Sequence, residues 1–167
     1  LFDVGQDGVE NAAVTSLILR DAYVVPGSDV VFQAQIRNFG PGDRANEAVQ
    51  LLVDDRPLSE KTVDIAAGDE TSVAFTHRFE TPGEHVVRVQ LPDDPLAVDN
   101  VRQLSVPVRS SLRVLCISGK PGAADHVAFA LSPNRSGDSP IQAELASESA
   151  LLERDLAEYD CVFLCNV

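Results

Sequence analysis

A chain of 167 residues, 44% of them hydrophobic, is long enough for one large domain or two small ones and too apolar to be a disordered segment. Its net charge of −13 argues against nucleic acid or anionic lipid as partner, because both would repel it. With no Trp, two Tyr and seven Phe, the core must rest on Val, Leu, Ile and Ala, with Phe as anchors.

The chain starts at Leu1, contains no Met and reads as a piece of a longer protein. It has no apolar run of the roughly 18 residues a membrane helix needs, so any membrane segments are expected outside it. Residues 1–13 are polar and Gly-bearing, a lead-in segment. Val14–Arg20 reads as a first strand. After the turn at Pro26-Gly27, Val30–Asn38 alternates with period two: Val30, Phe32, Ala34 and Ile36 on one face, Val31, Gln33, Gln35 and Arg37 on the other. Asn38-Phe39-Gly40-Pro41-Gly42 is a dense turn signal. Ala48–Asp54 alternates next, with Val49, Leu51 and Val53 inward, and Asp54-Asp55 turns tightly into an exposed strand, Leu58–Ile65. Ala67-Gly68-Asp69 leads to Thr71–Glu80, with Val73, Phe75, His77 and Phe79 on its apolar face. Thr81-Pro82-Gly83 turns into His85–Leu91, and an acidic loop, Asp93–Asn100, precedes a last strand, Arg102–Val108. Seven short strands with regular turns predict a mainly β chain, an immunoglobulin-like antiparallel β-sandwich over residues 14–109.

The pattern changes near Ser110. Leu112–Ile117 is nearly continuous apolar sequence, as in a strand of a parallel sheet covered on both faces. Ala123–Leu131 has helical spacing, with Val127, Ala130 and Leu131 on one face. A polar loop, Ser132–Pro140, leads to a strand at Ile141–Ala146. Glu148–Tyr159 reads as a helix capped by Ser147 or Ser149, with Leu151, Leu152, Leu156 and Tyr159 in a stripe. Cys161–Cys165 reads as another buried strand. Residues 110–167 are therefore expected to form a β-α-β-α-β series, part of a flavodoxin-like α/β domain.

The candidate chemistry is sparse. The loop Ser118–Gly122 lies between a strand and a helix, where ligands of α/β sheets often bind, so Gly119, Lys120 and Gly122 form a possible anion loop. The phosphate-loop and dinucleotide patterns are absent, and a plain connecting loop accounts for the same residues. Asp93, Asp94, Asp99 and Asn100 offer oxygen ligands of the kind Ca²⁺ takes, without the spacing of an EF-hand; Asp and Asn are also ordinary turn formers. His77, His85 and His126 lack metal-ligand spacing, and His77 on an apolar face reads as a core or edge residue. Cys161 and Cys165, four apart on one strand, point the same way and do not suit a disulfide; with Cys116 they read as buried free thiols. No G-x-S-x-G elbow is present, and no cofactor is implied.

Taken together, Pro26-Gly27, the Val30–Gly40 strand ending in Asn38-Phe39-Gly40, the Asp54-Asp55 hairpin, Ala67-Gly68 and Pro82-Gly83-Glu84-His85-Val86 resemble the bacterial cell-adhesion-related domain called CARDB. The stretch LRVLCISGKPG, with YDCVFLCNV later, resembles the start of a glutamine-amidotransferase-like domain. That order is similar to BatA-like bacterial membrane proteins with a von Willebrand A domain. The resemblance implies an extracytoplasmic region of a membrane-anchored parent, with a protein or envelope component as partner. True amidotransferases carry their Cys on an elbow after a later strand; nothing here matches it, so Cys116, Cys161 and Cys165 receive no catalytic role. The expected function is a non-catalytic interaction or structural module. The alternatives are the first half of an amidotransferase-like hydrolase with its active site beyond residue 167, and a calcium- or carbohydrate-dependent adhesin.

Overall fold

A computed structural model describes residues 9–133 and 139–167. The first eight residues of the expected lead-in, and residues 134–138 of the expected Ser132–Pro140 loop, lie outside the described residues. The chain falls into two compact units, Leu1–Val108 and Arg109–Val167.

The first unit contains seven strands among its described residues: β1 (Ala12–Leu19), β2 (Asp29–Asn38), β3 (Arg44–Val53), β4 (Arg56–Ile65), β5 (Glu70–Arg78), β6 (Gly83–Gln90) and β7 (Val101–Val108). They form two antiparallel sheets, in the orders β1-β2-β5 and β4-β3-β6-β7. The period-two pattern decides which side chains enter the core. Val30, Phe32, Ala34 and Ile36 of β2 are at most 1% exposed, and Phe32 pairs with Phe75 across the ladder. Val49 and Leu51 of β3, Val87 and Val89 of β6, and Val106 of β7 enter the same core from the second sheet. Phe79, just past β5, meets the Phe32 ring edge-on at 6.4 Å. Fully burying one such aromatic or branched side chain contributes roughly 1.5–3 kcal/mol, so this cluster dominates the stability of the unit.

Two turns are built by specific side chains. The β3–β4 hairpin places Asp54 (φ 50°) and Asp55 (φ 63°) both in the left-handed region, the conformation that a two-residue hairpin of this twist requires. Gly would adopt it more easily; here contacts to β6 hold it. At the end of β2, Asn38 is fully buried. Its amide donates to the carbonyls of Gly42 at 2.7 Å and of Ile65 and Ala66 at 3.3 Å, while its oxygen accepts from the Gly40 N–H at 2.9 Å. One side chain thus satisfies the backbone of two connections, which explains a polar residue in a dry place.

The second unit contains β8 (Leu112–Ser118), α1 (Asp125–Leu131), β9 (Ile141–Ser147), α2 (Ala150–Glu153), a 3₁₀ turn (Leu156–Glu158) and β10 (Cys161–Cys165). The three strands are parallel, in the order β10-β8-β9. Central β8 is covered on both faces: Leu115, Cys116 and Ile117 are fully buried. Three expectations need correction. Helix α1 buries Ala128, with Ala124 just before it, and half-buries Val127 and Leu131; Ala130 is exposed. The helix expected over Glu148–Tyr159 breaks after one turn. Arg154 and Asp155 are extended, and the Asp155 carboxylate accepts the Ala157 N–H, offering the backbone a local alternative to the helix. Tyr159 is held instead by tertiary contacts: Arg113 lies 4.9 Å over its ring, and its hydroxyl donates to Glu144 at 3.0 Å. The expected apolar stripe is lost with it, leaving Leu152 94% exposed. Finally, β10 is an edge strand rather than a buried one, with Phe163 and Leu164 exposed.

Candidate functional sites

Three places gather chemistry-bearing side chains. The first is the loop after β8. Gly119, Lys120 and Gly122 line a pocket of about 620 Å³ with Asp125, Ser147, Glu148 and Ser149, at the C-terminal ends of β8 and β9. Gly119 is needed for packing: its N–H donates to the Cys165 carbonyl at 3.0 Å, and a Cβ there would overlap the Asn166 carbonyl oxygen. Gly122 has φ +79°. The side chains of Asp125 and Glu148 bring negative charge to the same pocket as Lys120, which weakens the field any anion would feel.

The second place joins the acidic loop to the start of β1. Asp94 accepts the Ala12 N–H at 2.9 Å and the Leu96 N–H at 2.9 Å, and Arg44 stands 3.8 Å away. Asp99 accepts from the Asn11 amide at 3.2 Å. The other oxygen of Asp99, the Asn11 side-chain oxygen and both amide atoms of Asn100 are buried without a partner. Asp93 is exposed. The structure thus brings Asp94 and Asp99 together with Asn11, a residue more than 80 positions away whose involvement no local pattern announced. Among the described residues, no three of His, Cys, Asp and Glu converge as metal ligands would.

The third place is at the β3–β4 turn. The His85 ring lies between the Asp54 carboxylate, 2.7 Å from Nδ1, and the Thr81 carbonyl, 3.0 Å from Nε2. Asp54 also accepts the Val86 N–H at 2.9 Å. The hydrogen bond to Asp54 raises the His85 pKa above its ordinary 6.5 despite partial burial, and the same bond, with that from Val86, lowers Asp54 below 3.8. His77 stacks edge-on against Phe79 at 4.6 Å, and the Phe79 ring also meets His85 at 4.9 Å. Burial, then repulsion by His85, lowers the His77 pKa. His126 is exposed on α1.

The three thiols are free and differ in environment. Cys116 is buried, Cys165 half-buried and Cys161 exposed, so the expectation of buried thiols holds only for Cys116. Burial, then the neighbouring Cys165 and Cys161, raises the Cys116 pKa. A thiol kept protonated in this way is a poor nucleophile.

Comparison with known proteins addresses the sandwich. No curated protein matches the chain. Among solved structures, the CARDB domain of a Pyrococcus furiosus protein, in complex with di-metal ions, is 14% identical with a TM-score of 0.56, covering 62% of this chain and 97% of that one. A β-glucosidase from Erythrobacter marinus is 15% identical with a TM-score of 0.51, covering 60% of this chain and 16% of the enzyme. A cycloisomaltooligosaccharide glucanotransferase from Paenibacillus is 17% identical with a TM-score of 0.51, covering 84% of this chain and 21% of the enzyme. At such identities the likeness is one of fold, and the chain spans only a small part of either enzyme. The CARDB family profile matches residues 13–96, half of the chain, on the strands and turns described above. The chain belongs to the CARDB family.

Proposed function

We propose that this chain is a non-catalytic interaction and spacing module of a bacterial cell-envelope protein, held on the extracytoplasmic side of the membrane and engaging a protein or other envelope component. The observation that carries this reading is how the sandwich uses its polar side chains. Asn38, Asp54, His85 and Asp94 are all spent on holding turns and strand starts, and none is paired with a nucleophile. Among the described residues no helix is long and apolar enough to cross a membrane. Exposed Ser59 on β4 provides a reporter. In intact cells, a membrane-impermeant maleimide is expected to label the parent carrying Ser59→Cys more heavily than the unsubstituted parent, whose Cys161 is itself exposed. Labelling that appears only after lysis overturns the placement.

Two observations favour further readings of particular parts. In the parallel segment, β8 lies between β9 and β10, so the first strand has the second and third as its neighbours. That is the order in which flavodoxin-like sheets begin, and it supports an amidotransferase-like segment. Glutamine hydrolysis by the purified parent tests whether that segment is catalytic; no ammonia release above a blank removes the hydrolase alternative. In the sandwich, the buried unpaired oxygens of Asn11, Asp99 and Asn100 lie in or beside the acidic loop. Such oxygens suit a hard cation, and the Pyrococcus furiosus CARDB domain was solved with metal ions. If this site takes Ca²⁺, millimolar Ca²⁺ raises the melting temperature and Asp99→Asn abolishes the rise, by mass action. An unchanged melting temperature removes the reading.

A further inference from the structure

The arrangement around His85 makes a demand on proton count that its role as a turn clamp leaves unused. Both groups facing the ring are acceptors: a carboxylate oxygen of Asp54 at Nδ1 and a backbone carbonyl of Thr81 at Nε2. A neutral imidazole has one N–H and one lone pair. Whichever tautomer it takes, one bond is lost and a lone pair faces an oxygen. Only the imidazolium, with two N–H groups, makes both bonds. The two acceptors belong to different connections, the β3–β4 turn and the segment between β5 and β6. The turn so held has two Asp residues in the left-handed region, a conformation that relaxes when its contacts are removed.

We propose that Asp54, His85 and Thr81 form a proton-operated latch that closes this end of the sandwich when His85 is protonated and loosens the β3–β4 turn when it is not. The surrounding charges fit that role. On the turn, Asp54 faces the ring, Asp55 is paired with Arg88 at 2.9 Å, and Arg56 acts on Asp54. On β6, Glu84 adds a negative charge that favours the cation. From β5 and the residues after it come His77, whose charged form is opposed by His85, and Glu80, whose charge acts on His77. Val106 lies opposite His85 on β7 and carries no charge. Two histidines in contact with one Phe ring therefore titrate apart, His85 high and His77 low, and a charged His85 makes His77 harder to charge. The latch is closed between the pH at which Asp54 gains a proton and the pH at which His85 loses one.

The amides report the latch directly. The Val86 N–H donates to Asp54 at this end, while the Leu91 N–H, at the other end of β6, donates to Asn100. Hydrogen exchange of the full chain, read as the Val86 rate divided by the Leu91 rate, cancels the intrinsic pH dependence. The ratio is expected to rise as pH passes the His85 midpoint observed by histidine NMR. The rise is about tenfold for each pH unit by which the observed midpoint exceeds the usual value near 6.5. Asp54→Asn is expected to lower the midpoint and flatten the ratio, while His77→Gln, at a residue already neutral where His85 titrates, leaves both the midpoint and the rise in place. A ratio constant from pH 5 to 9 in the unsubstituted chain overturns the latch, and needs no variant to fold. So does an ordinary His85 midpoint that Asp54→Asn leaves unmoved.

Discussion

In the sandwich, the four inward residues of β2 meet inward residues of a second sheet, and nineteen buried residues among those described join into one cluster. In the parallel segment, four buried residues among those described, Val114, Cys116, Ala124 and Ala128, form the cluster under α1. Central β8 is dry on both faces, yet its neighbour β10, with a comparably apolar sequence, leaves Phe163 and Leu164 in solvent. Apolar sequence makes a strand, but burial needs a covering layer as well. The short α2 and the 3₁₀ turn do not supply that layer for β10, whereas the sandwich supplies it from its own second sheet. The broken helix and the exposed edge are thus two consequences of one difference.

The largest expected contrast lies between Phe32 and Leu164. Phe32→Ala removes a fully buried ring from the centre of the sandwich and is expected to lower unfolding free energy by about 3–5 kcal/mol in denaturant titration. Leu164→Ala, at a residue 60% exposed, is expected to change it by no more than about 0.5 kcal/mol. Similar losses for the two would erase the comparison. Next comes Asn38→Ala, which leaves the carbonyls of Gly42, Ile65 and Ala66 short of a donor and the Gly40 N–H short of an acceptor. A loss of about 1–3 kcal/mol is expected. Gly119→Ala forces a Cβ against the Asn166 backbone. Far-ultraviolet spectra and the exchange of β10 amides are expected to report loosening there, with β2 amides unchanged.

The pH dependence is smaller and has a defined sign. His85 is raised above 6.5, so its contribution is full below that value and is lost as pH rises through the folded midpoint. Asp54 is lowered below 3.8, so its contribution is present above that value and is lost as pH falls through the folded midpoint. His85→Gln is therefore expected to lower the melting temperature at pH 6 and to change it little at pH 9. The smallest effect concerns the thiols. A maleimide is expected to react with Cys161 before Cys116 in the native chain, since one is exposed and the other buried with its proton held.

The sequence by itself determined the strands. Alternation in Val30–Ile36, Val73–Phe79 and Val87–Leu91 fixes which side chains face inward, because a pleated strand sends successive residues to opposite faces. Asn38-Phe39-Gly40 and Asp54-Asp55 marked turns for local reasons of backbone preference. The sequence also pointed to Asp94 and Asp99, and to the loop at Gly119, Lys120 and Gly122. Tertiary structure alone decided what these residues meet. Asn11 reaches Asp99 across 88 positions, and Asp54 reaches His85 across 31. No window of sequence contains both members of such a pair. The Glu148–Tyr159 stretch had helical spacing, yet Asp155 turned to the nearby Ala157 N–H, and Tyr159 found Arg113 and Glu144 on other strands. Whether CVFLC is a core strand or an edge depends on what lies over it. Periodicity reports the conformation a segment prefers and the face it offers, while burial, protonation and partner choice belong to the surfaces that folding brings against it.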